Sequence, residues 1–272
     1  MKNKRLIIPI FIPFAGCPHQ CIFCNQEDIT GSRGLPSIDE IRAAVEKHLS
    51  TWKHAGVKEI AFYGGSFTGL PLELQEEFLG TAYGYVRADR IDSIRISTRP
   101  DYINEATPLF LKRFLVKTVE LGAESMCDDV LKLSNRGHTA LDTIRAAAIL
   151  KEAGLSTGLQ LMPGLPGDTR ETIIESAKKA VRLKPDFVRI YPTLVLKDTT
   201  LHEMYKRGSY KPWSLSDMVS LCKEVADIYK SASIPIIRMG LQPTRELEKS
   251  LVAGPYHPAF RELVYGQVEQ RL

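Results

Sequence analysis

A chain of 272 residues, 44% hydrophobic and 25% charged, has the length and composition of one large globular domain, or of one domain with a small appendage, and excludes a disordered or fibrous protein. A net charge of +4 suits an anionic substrate or RNA without demanding either. Five cysteines, an odd count with three crowded together, argue against a disulfide framework and for a reducing cytoplasm, and no apolar run is long enough to cross a bilayer.

The N-terminus has a basic start and an apolar run, but Pro9 and Pro13 break the run and it leads straight into a cysteine cluster. It reads as a buried strand, Arg5–Pro13, and not as a signal peptide. Ser37-Ile38-Asp39-Glu40 is a capping box that opens the first helix. Further strands are expected at Lys58–Tyr63, Ser93–Ser97, Thr118–Leu121, Thr157–Leu161 and Phe187–Tyr191. Between them, Pro71 suits the first turn of a helix, Thr139 caps one that runs to Lys151 and stops near Gly154, Thr169 starts the next, and Ser214 or Ser216 the one after. Ile234–Leu241 fits one more strand, and Thr244–Leu251 and Pro258–Leu272 fit helices joined by the turn-rich Ala253–His257.

The alternation of strand and helix, about six times over, predicts an α/β fold with parallel strands, either open or closed toward a barrel. Unusual segments follow each strand. These are Gly16–Gln26, Tyr63–Gly69, Ser97–Asp101, Glu120–Ser125, Met162–Asp168 and Tyr191–Thr193. In parallel α/β folds such segments share one face, at the carboxyl ends of the strands, where active sites assemble.

Cys17, Cys21 and Cys24 fall within GCPHQCIFCNQ at the spacing C-x-x-x-C-x-x-C. Three close thiols admit a structural, a zinc-binding or a cluster-binding role. Structural zinc needs four ligands; His19 lies inside the loop with strained reach, and Cys127 and Cys222 are distant in sequence. A [4Fe–4S] cluster takes one ligand per iron, normally four thiolates. Three cysteines leave one iron open to chelate a small molecule through an amine and a carboxylate.

This spacing, with the aromatic Phe23 before the last cysteine and a strand before the loop, resembles the signature of the radical S-adenosylmethionine (SAM) enzymes. The resemblance implies a partial (β/α)6 TIM-like barrel over residues 1–232 with a C-terminal extension over 233–272. It implies a [4Fe–4S] cluster on Cys17, Cys21 and Cys24, a low-potential electron donor, and reductive cleavage of SAM to a 5′-deoxyadenosyl radical. No catalytic residue beyond the cluster ligands is assigned.

Gly64-Gly65-Ser66 resembles the family's Gly-Gly-Glu segment, which meets the methionyl amine of SAM, with Ser66 in place of the acid. Ser97, Glu120 and Glu124 stand where the family places ribose and methionine contacts, and Tyr191 with Pro192 on the strand beside the adenine. Each also has a plain reading: a tight turn for the glycines, ion pairs for the glutamates, core packing for Tyr191. Cys127 as a hydrogen-atom donor competes with its reading as a small hydrophobe, and Cys222 reads as core.

A narrower likeness lies in Thr98–Tyr102, Ser134–Thr139, Leu161–Asp168, Ile190–Leu201 and Gly208–Ser214. Together they look like the radical-SAM part of the Elongator catalytic subunit, which modifies wobble uridines of tRNA, and more weakly like oxygen-independent coproporphyrinogen oxidases. The implied partner is tRNA or another RNA, with Arg99, Arg113, Arg136 and His138 suited to phosphate on the active face. A carboxylated or porphyrin-like metabolite, or a non-catalytic metal or iron–sulfur protein, are the alternatives. The Elongator subunit carries an acetyltransferase domain after this part; the chain here has no Gly-rich acyl-CoA loop, so that chemistry is not expected of it.

Overall fold

The computed structural model describes residues 4–18, 20–26 and 34–266. His19 and residues 267–272 of the expected last helix lie outside the described residues.

Seven parallel strands form the main sheet: β1 (Lys4–Ile12), β2 (Gly56–Gly64), β3 (Ser93–Thr98), β4 (Val116–Glu124), β5 (Ser156–Leu161), β6 (Phe187–Ile190) and β8 (Ile236–Met239), paired in that order. The sheet curls as an open half-barrel in which β1 and β8 are the edges. Six of its strands lie where the apolar runs place them. The seventh comes from the Ile234–Leu241 run. Two very short strands, β7 (Val195–Leu196) and β9 (Leu251–Ala253), pair antiparallel outside the sheet. Among the described residues no helix is long and apolar enough to cross a membrane.

The helices cover the outer face. They are α1 (Ile38–Thr51), α2 (Leu72–Arg87), α3 (Thr107–Arg113), α4 (Asp128–Leu133), α5 (Ala140–Glu152), α6 (Arg170–Arg182), α7 (Thr200–Lys206), α8 (Leu215–Ser231), α9 (Arg245–Ser250) and α10 (Phe260–Val264). Ser37 and Thr139 form complete capping boxes, and the Thr169 and Ser214 hydroxyls also cap the helices they were expected to start. Pro71 occupies the cap position itself, one residue before α2. Alternate residues of each strand, such as Ile8, Ile10 and Ile12, Ile60 and Phe62, or Ile94 and Ile96, join the helices in one apolar core.

The other face of the sheet is polar. Glu59 on β2, Arg95 on β3, Glu120 on β4 and Arg189 on β6 form a line of charge along the inner wall. Arg95 donates to Glu59 at 2.9 Å and to Glu120 at 2.8 Å. Arg189 Nη2 reaches the same Glu120 oxygen at 3.1 Å, and Arg5 closes on Glu59 at 3.4 Å. Buried charges are tolerated here because each has an opposite partner. Gly158 on β5 leaves room below: a Cβ there would lie 2.2 Å from the Phe187 ring, over which the Arg95 guanidinium sits at 5.1 Å.

Candidate active site at the carboxyl end of the half-barrel

The turn after β1 and the turn after β2 interlock. Gly65 N–H donates to Ile12 O at 2.9 Å, and Ser66 N–H to Ala15 O at 2.8 Å. The backbones touch so closely that three glycines are obligatory. A Cβ on Gly65 would stand 2.0 Å from Ala15 O, one on Gly16 2.1 Å from Ser66 O, and one on Gly69 2.2 Å from Gly16 O. The close approach that these glycines permit is therefore to the chain's own backbone. Gly64 is required by a φ of +107°.

The cysteine loop emerges from this interlock and is held on its other side by distant segments. Ile22 N–H donates to Ser134 O at 3.2 Å, Leu201 N–H to Ile22 O at 2.8 Å, and Asn135 Nδ2 to Gln20 O at 2.9 Å. Ile22 is buried with Val195, Leu201 and Tyr210, and Phe23 packs against that patch. Cys21 is buried, while Cys17 and Cys24 are half-buried. Burial drives the Cys24 thiol well above the ordinary range, with the charges of Cys21 and Cys17 adding to the rise. Burial likewise raises Cys17, opposed by the Arg136 guanidinium.

The three thiols thus feel one another's charge, and Arg136 Nη1 lies 3.3 Å from Cys21 Sγ. Among the described residues no three His, Cys, Asp or Glu side chains converge as ligands of a single ion. A [4Fe–4S] cube takes one thiolate per iron and needs its sulfurs spread around it. Three thiols on one loop fit such a cluster, and the buried Arg136, whose Nε has no hydrogen-bond partner among the described residues, lies beside Cys21.

Ser66 is fully buried, and its hydroxyl faces the neighbouring turn. It bonds Thr98 Oγ1 at 2.8 Å and accepts from Arg99 N–H at 3.1 Å. Its side chain joins β2 to β3 and leaves only backbone for a ligand. Ser97 is half-buried and in register with Glu120. Glu120 is committed within the chain. Besides Arg95 and Arg189 it accepts from Tyr63 OH at 3.1 Å. Tyr191 follows β6, half-buried, its hydroxyl accepting from Arg189 Nη1 at 3.1 Å.

Glu124 ends β4 at a register shift, with a left-handed φ of +61°. Such a conformation is strained for a non-glycine residue. Burial raises its carboxyl above the usual range, against the pull of Arg136 at 3.5 Å and the Gln160 amide at 3.1 Å. Gly122 makes room for this pair, since a Cβ there would lie 2.8 Å from both Arg136 Nη2 and Glu124 Oε1.

The cations read as suited to phosphate on the active face differ in exposure and position. Arg99 and Arg136 are buried, Arg99 held by Asp101 at 2.8 Å and Arg136 by Gly122 O at 2.7 Å. His138 is buried, and desolvation with the nearby Arg136 pushes it down to about 3, so it is neutral near pH 7. Arg113 is exposed near the end of α3, just ahead of β4, and so lies at the opposite end of the barrel. The residues that sequence reasoning passed over are Gln26 and Gln160. Gln160 had a signal as a polar residue between Leu159 and Leu161 of β5; Gln26 had none beyond its place two residues after Cys24.

Comparison with known proteins follows this geometry. The family described as "Radical SAM superfamily" matches residues 11–180, and the "Radical_SAM C-terminal domain" matches 185–270. A "tRNA uridine(34) acetyltransferase" of Methanocaldococcus infernus is 29% identical over 97% of this chain and 56% of its own length. The "Elongator complex protein 3" of Saccharomyces cerevisiae is 31% identical over 69% of this chain and 37% of its own. The chain spans about half the length of the curated relatives it matches. Among solved structures, the archaeal Methanocaldococcus infernus Elp3 superposes with a TM-score of 0.76 at 25% identity, covering 98% of this chain and 63% of its own. Coproporphyrinogen III oxidase from Escherichia coli shares the fold, with a TM-score of 0.60 at 17% identity over 85% of this chain and 53% of its own.

Proposed function

The chain belongs to the radical SAM superfamily, and from that premise we propose that it is an enzyme that cleaves SAM reductively and acts on tRNA. Cys17, Cys21 and Cys24 are the proposed ligands of a [4Fe–4S] cluster. When bound and reduced by a low-potential donor, that group supplies the electron that breaks the sulfur–C5′ bond of SAM. The rest is the work of this chain's side chains and backbone.

The observation that carries the reading is the joining of the three-thiol loop to the Gly64-Gly65 turn, backbone against backbone. It supports one site in which the cluster ligands and the glycine edge proposed for the methionyl amine are held together. Ser66 contributes backbone alone. Ser97, Glu124 and Tyr191, at or just beyond the ends of β3, β4 and β6, are the proposed ribose, methionine and adenine contacts, with Glu120 behind them. The low-lying His138 stays neutral and adds no charge to the site. The tRNA substrate rests on the names of the full-length relatives, tRNA uridine(34) acetyltransferase and Elongator complex protein 3.

The test is anaerobic reconstitution with iron and sulfide, reduction with dithionite, and detection of 5′-deoxyadenosine by mass. Wild type forms it and Cys17→Ala, Cys21→Ala and Cys24→Ala do not; a full cluster without SAM cleavage would leave an iron–sulfur carrier. Binding to bulk tRNA that weakens as salt rises supports the substrate, and absence of binding at low salt removes it.

A further inference from the structure

Gln26 bridges the two turns that build the site. Phe14 N–H donates to Gln26 Oε1 at 2.5 Å, and Gln26 Nε2 donates to Gly64 O at 2.7 Å. A donor on one side and an acceptor on the other fix the orientation of the carboxamide. Both partners are unusual backbone positions. Phe14 has a left-handed φ of +54° and Gly64 one of +107°, so neither turn is a conformation that the chain adopts by default. Gln26 also lies two residues beyond Cys24, on the same short segment. One side chain therefore ties the segment of the third cysteine to the exit of β1 and to the glycine edge after β2.

We propose that Gln26 is a positioning residue for SAM, setting the Gly64 carbonyl that receives the methionyl amine and holding it in register with the Cys24 segment. This rests on the radical SAM reading of the site. A carbonyl oxygen has two acceptor positions. The Gln26 amide takes one and thereby orients the peptide, and the second remains for an ammonium donor. The family's acidic side chain at this edge is absent here: Ser66 stands in its place, and its hydroxyl is turned toward Thr98 and Arg99. Alignment of the backbone carbonyl thus has to do what a carboxylate would otherwise share, and Gln26 is the group that fixes that alignment.

The experiment uses the full chain, reconstituted anaerobically, as wild type, Gln26→Ala and Gln26→Glu. Gln26→Glu retains an acceptor for Phe14 N–H and removes the donor to Gly64, so it separates the two bonds. Three quantities are read: iron and sulfide per chain, the Kd of labelled SAM by equilibrium dialysis, and the electron paramagnetic resonance signal of the reduced cluster with and without SAM. The expected result is unchanged iron and sulfide in both variants, a Kd raised about tenfold in both, and a SAM-induced change of the signal that requires correspondingly more SAM.

Unchanged SAM affinity in both variants would overturn the proposal. So would loss of iron in both variants, since Gln26 would then be holding the loop for metal alone. A wild-type chain that takes up no cluster, or takes one up and binds no SAM, brings down the radical SAM reading and the proposal with it, an outcome visible before any variant is compared.

Discussion

Arg95 Nη1 donates to Glu120 Oε1 at 2.8 Å between neighbouring strands, with only 1% and 5% of the two side chains exposed. The same guanidinium holds Glu59, so one residue balances two buried carboxylates. Arg95→Met is expected to destabilise the fold by about 3–5 kcal/mol in urea titration at neutral pH, because two charges are left buried without their main partner. Glu120→Gln, which keeps the shape and one acceptor, should lose less. A loss below about 1 kcal/mol for Arg95→Met would show that the inner wall does not need the pair.

Gly65 and Gly84 make a matched pair of opposite sign. Gly65→Ala places a methyl 2.0 Å from Ala15 O, so the two turns must part, and the variant should fail to retain iron and sulfide after reconstitution. Gly84 is exposed within α2, and nothing among the described residues lies within 4 Å of a Cβ there. Gly84→Ala should raise stability by about 0.5–1 kcal/mol through helix propensity, read from the shift of the urea midpoint. Equal behaviour of the two variants would contradict the steric account.

Asp168 accepts from Gly164 N–H, Leu165 N–H and the Thr172 hydroxyl, at 3.0, 3.1 and 2.9 Å. Burial nevertheless raises it from 3.8 to about 6. The folded state therefore holds a proton that the unfolded state has released between those values, so this group's contribution falls as pH rises from about 4 to about 6. Asp168→Asn keeps an acceptor for the loop and should flatten the curve of stability against pH in that window. A slope identical to wild type would exclude Asp168 as its source.

Arg136 is the nearest counter-charge of Glu124, at 3.5 Å. In Arg136→Met the buried carboxyl, already raised, should rise further above 4.5. A raised carboxyl favours the folded state at low pH and penalises it once ionised. The variant should thus lose about 3–5 kcal/mol near pH 8 and distinctly less near pH 5, measured by urea titration at both values. Arg136→Lys should not restore stability, because an ammonium cannot hold Gly122 O and Cys21 Sγ together.

The parts of the fold that sequence displayed are those governed by local chemistry. The apolar runs placed the strands, and Ser37, Thr139, Thr169 and Ser214 marked helix starts through hydroxyl geometry that spans only three residues. The ladder of Val195–Leu196 with Leu251–Ala253 escaped notice, since two or three residues carry no period and the pairing depends on chain far away. The same limit governed the site. Cysteine spacing is written in eight consecutive residues, whereas the burial of Arg136 goes with partners far off in the chain, Cys21 and Gly122 O, and Arg99 sits against Ser66. Charge alone suited those arginines to phosphate; the structure pairs them with Asp101 and with Gly122 O inside the chain. Ser66 turns away from the barrel mouth because Thr98, thirty-two residues on, offers a buried hydroxyl.

The interlock of Gly16, Gly65 and Gly69 bears on how kinship is to be judged in such chains. Side chains at these positions are forbidden by backbone oxygens of the chain itself, at 2.0 to 2.2 Å, whatever the molecule binds. Purifying selection would hold these glycines even in a descendant that had abandoned its chemistry. Finding them in a related chain would therefore testify to shared ancestry of the scaffold and not to shared chemistry. A descendant that has changed trade should betray itself first at Cys17 and Cys24, half-buried thiols to which no backbone contact of that kind denies another side chain.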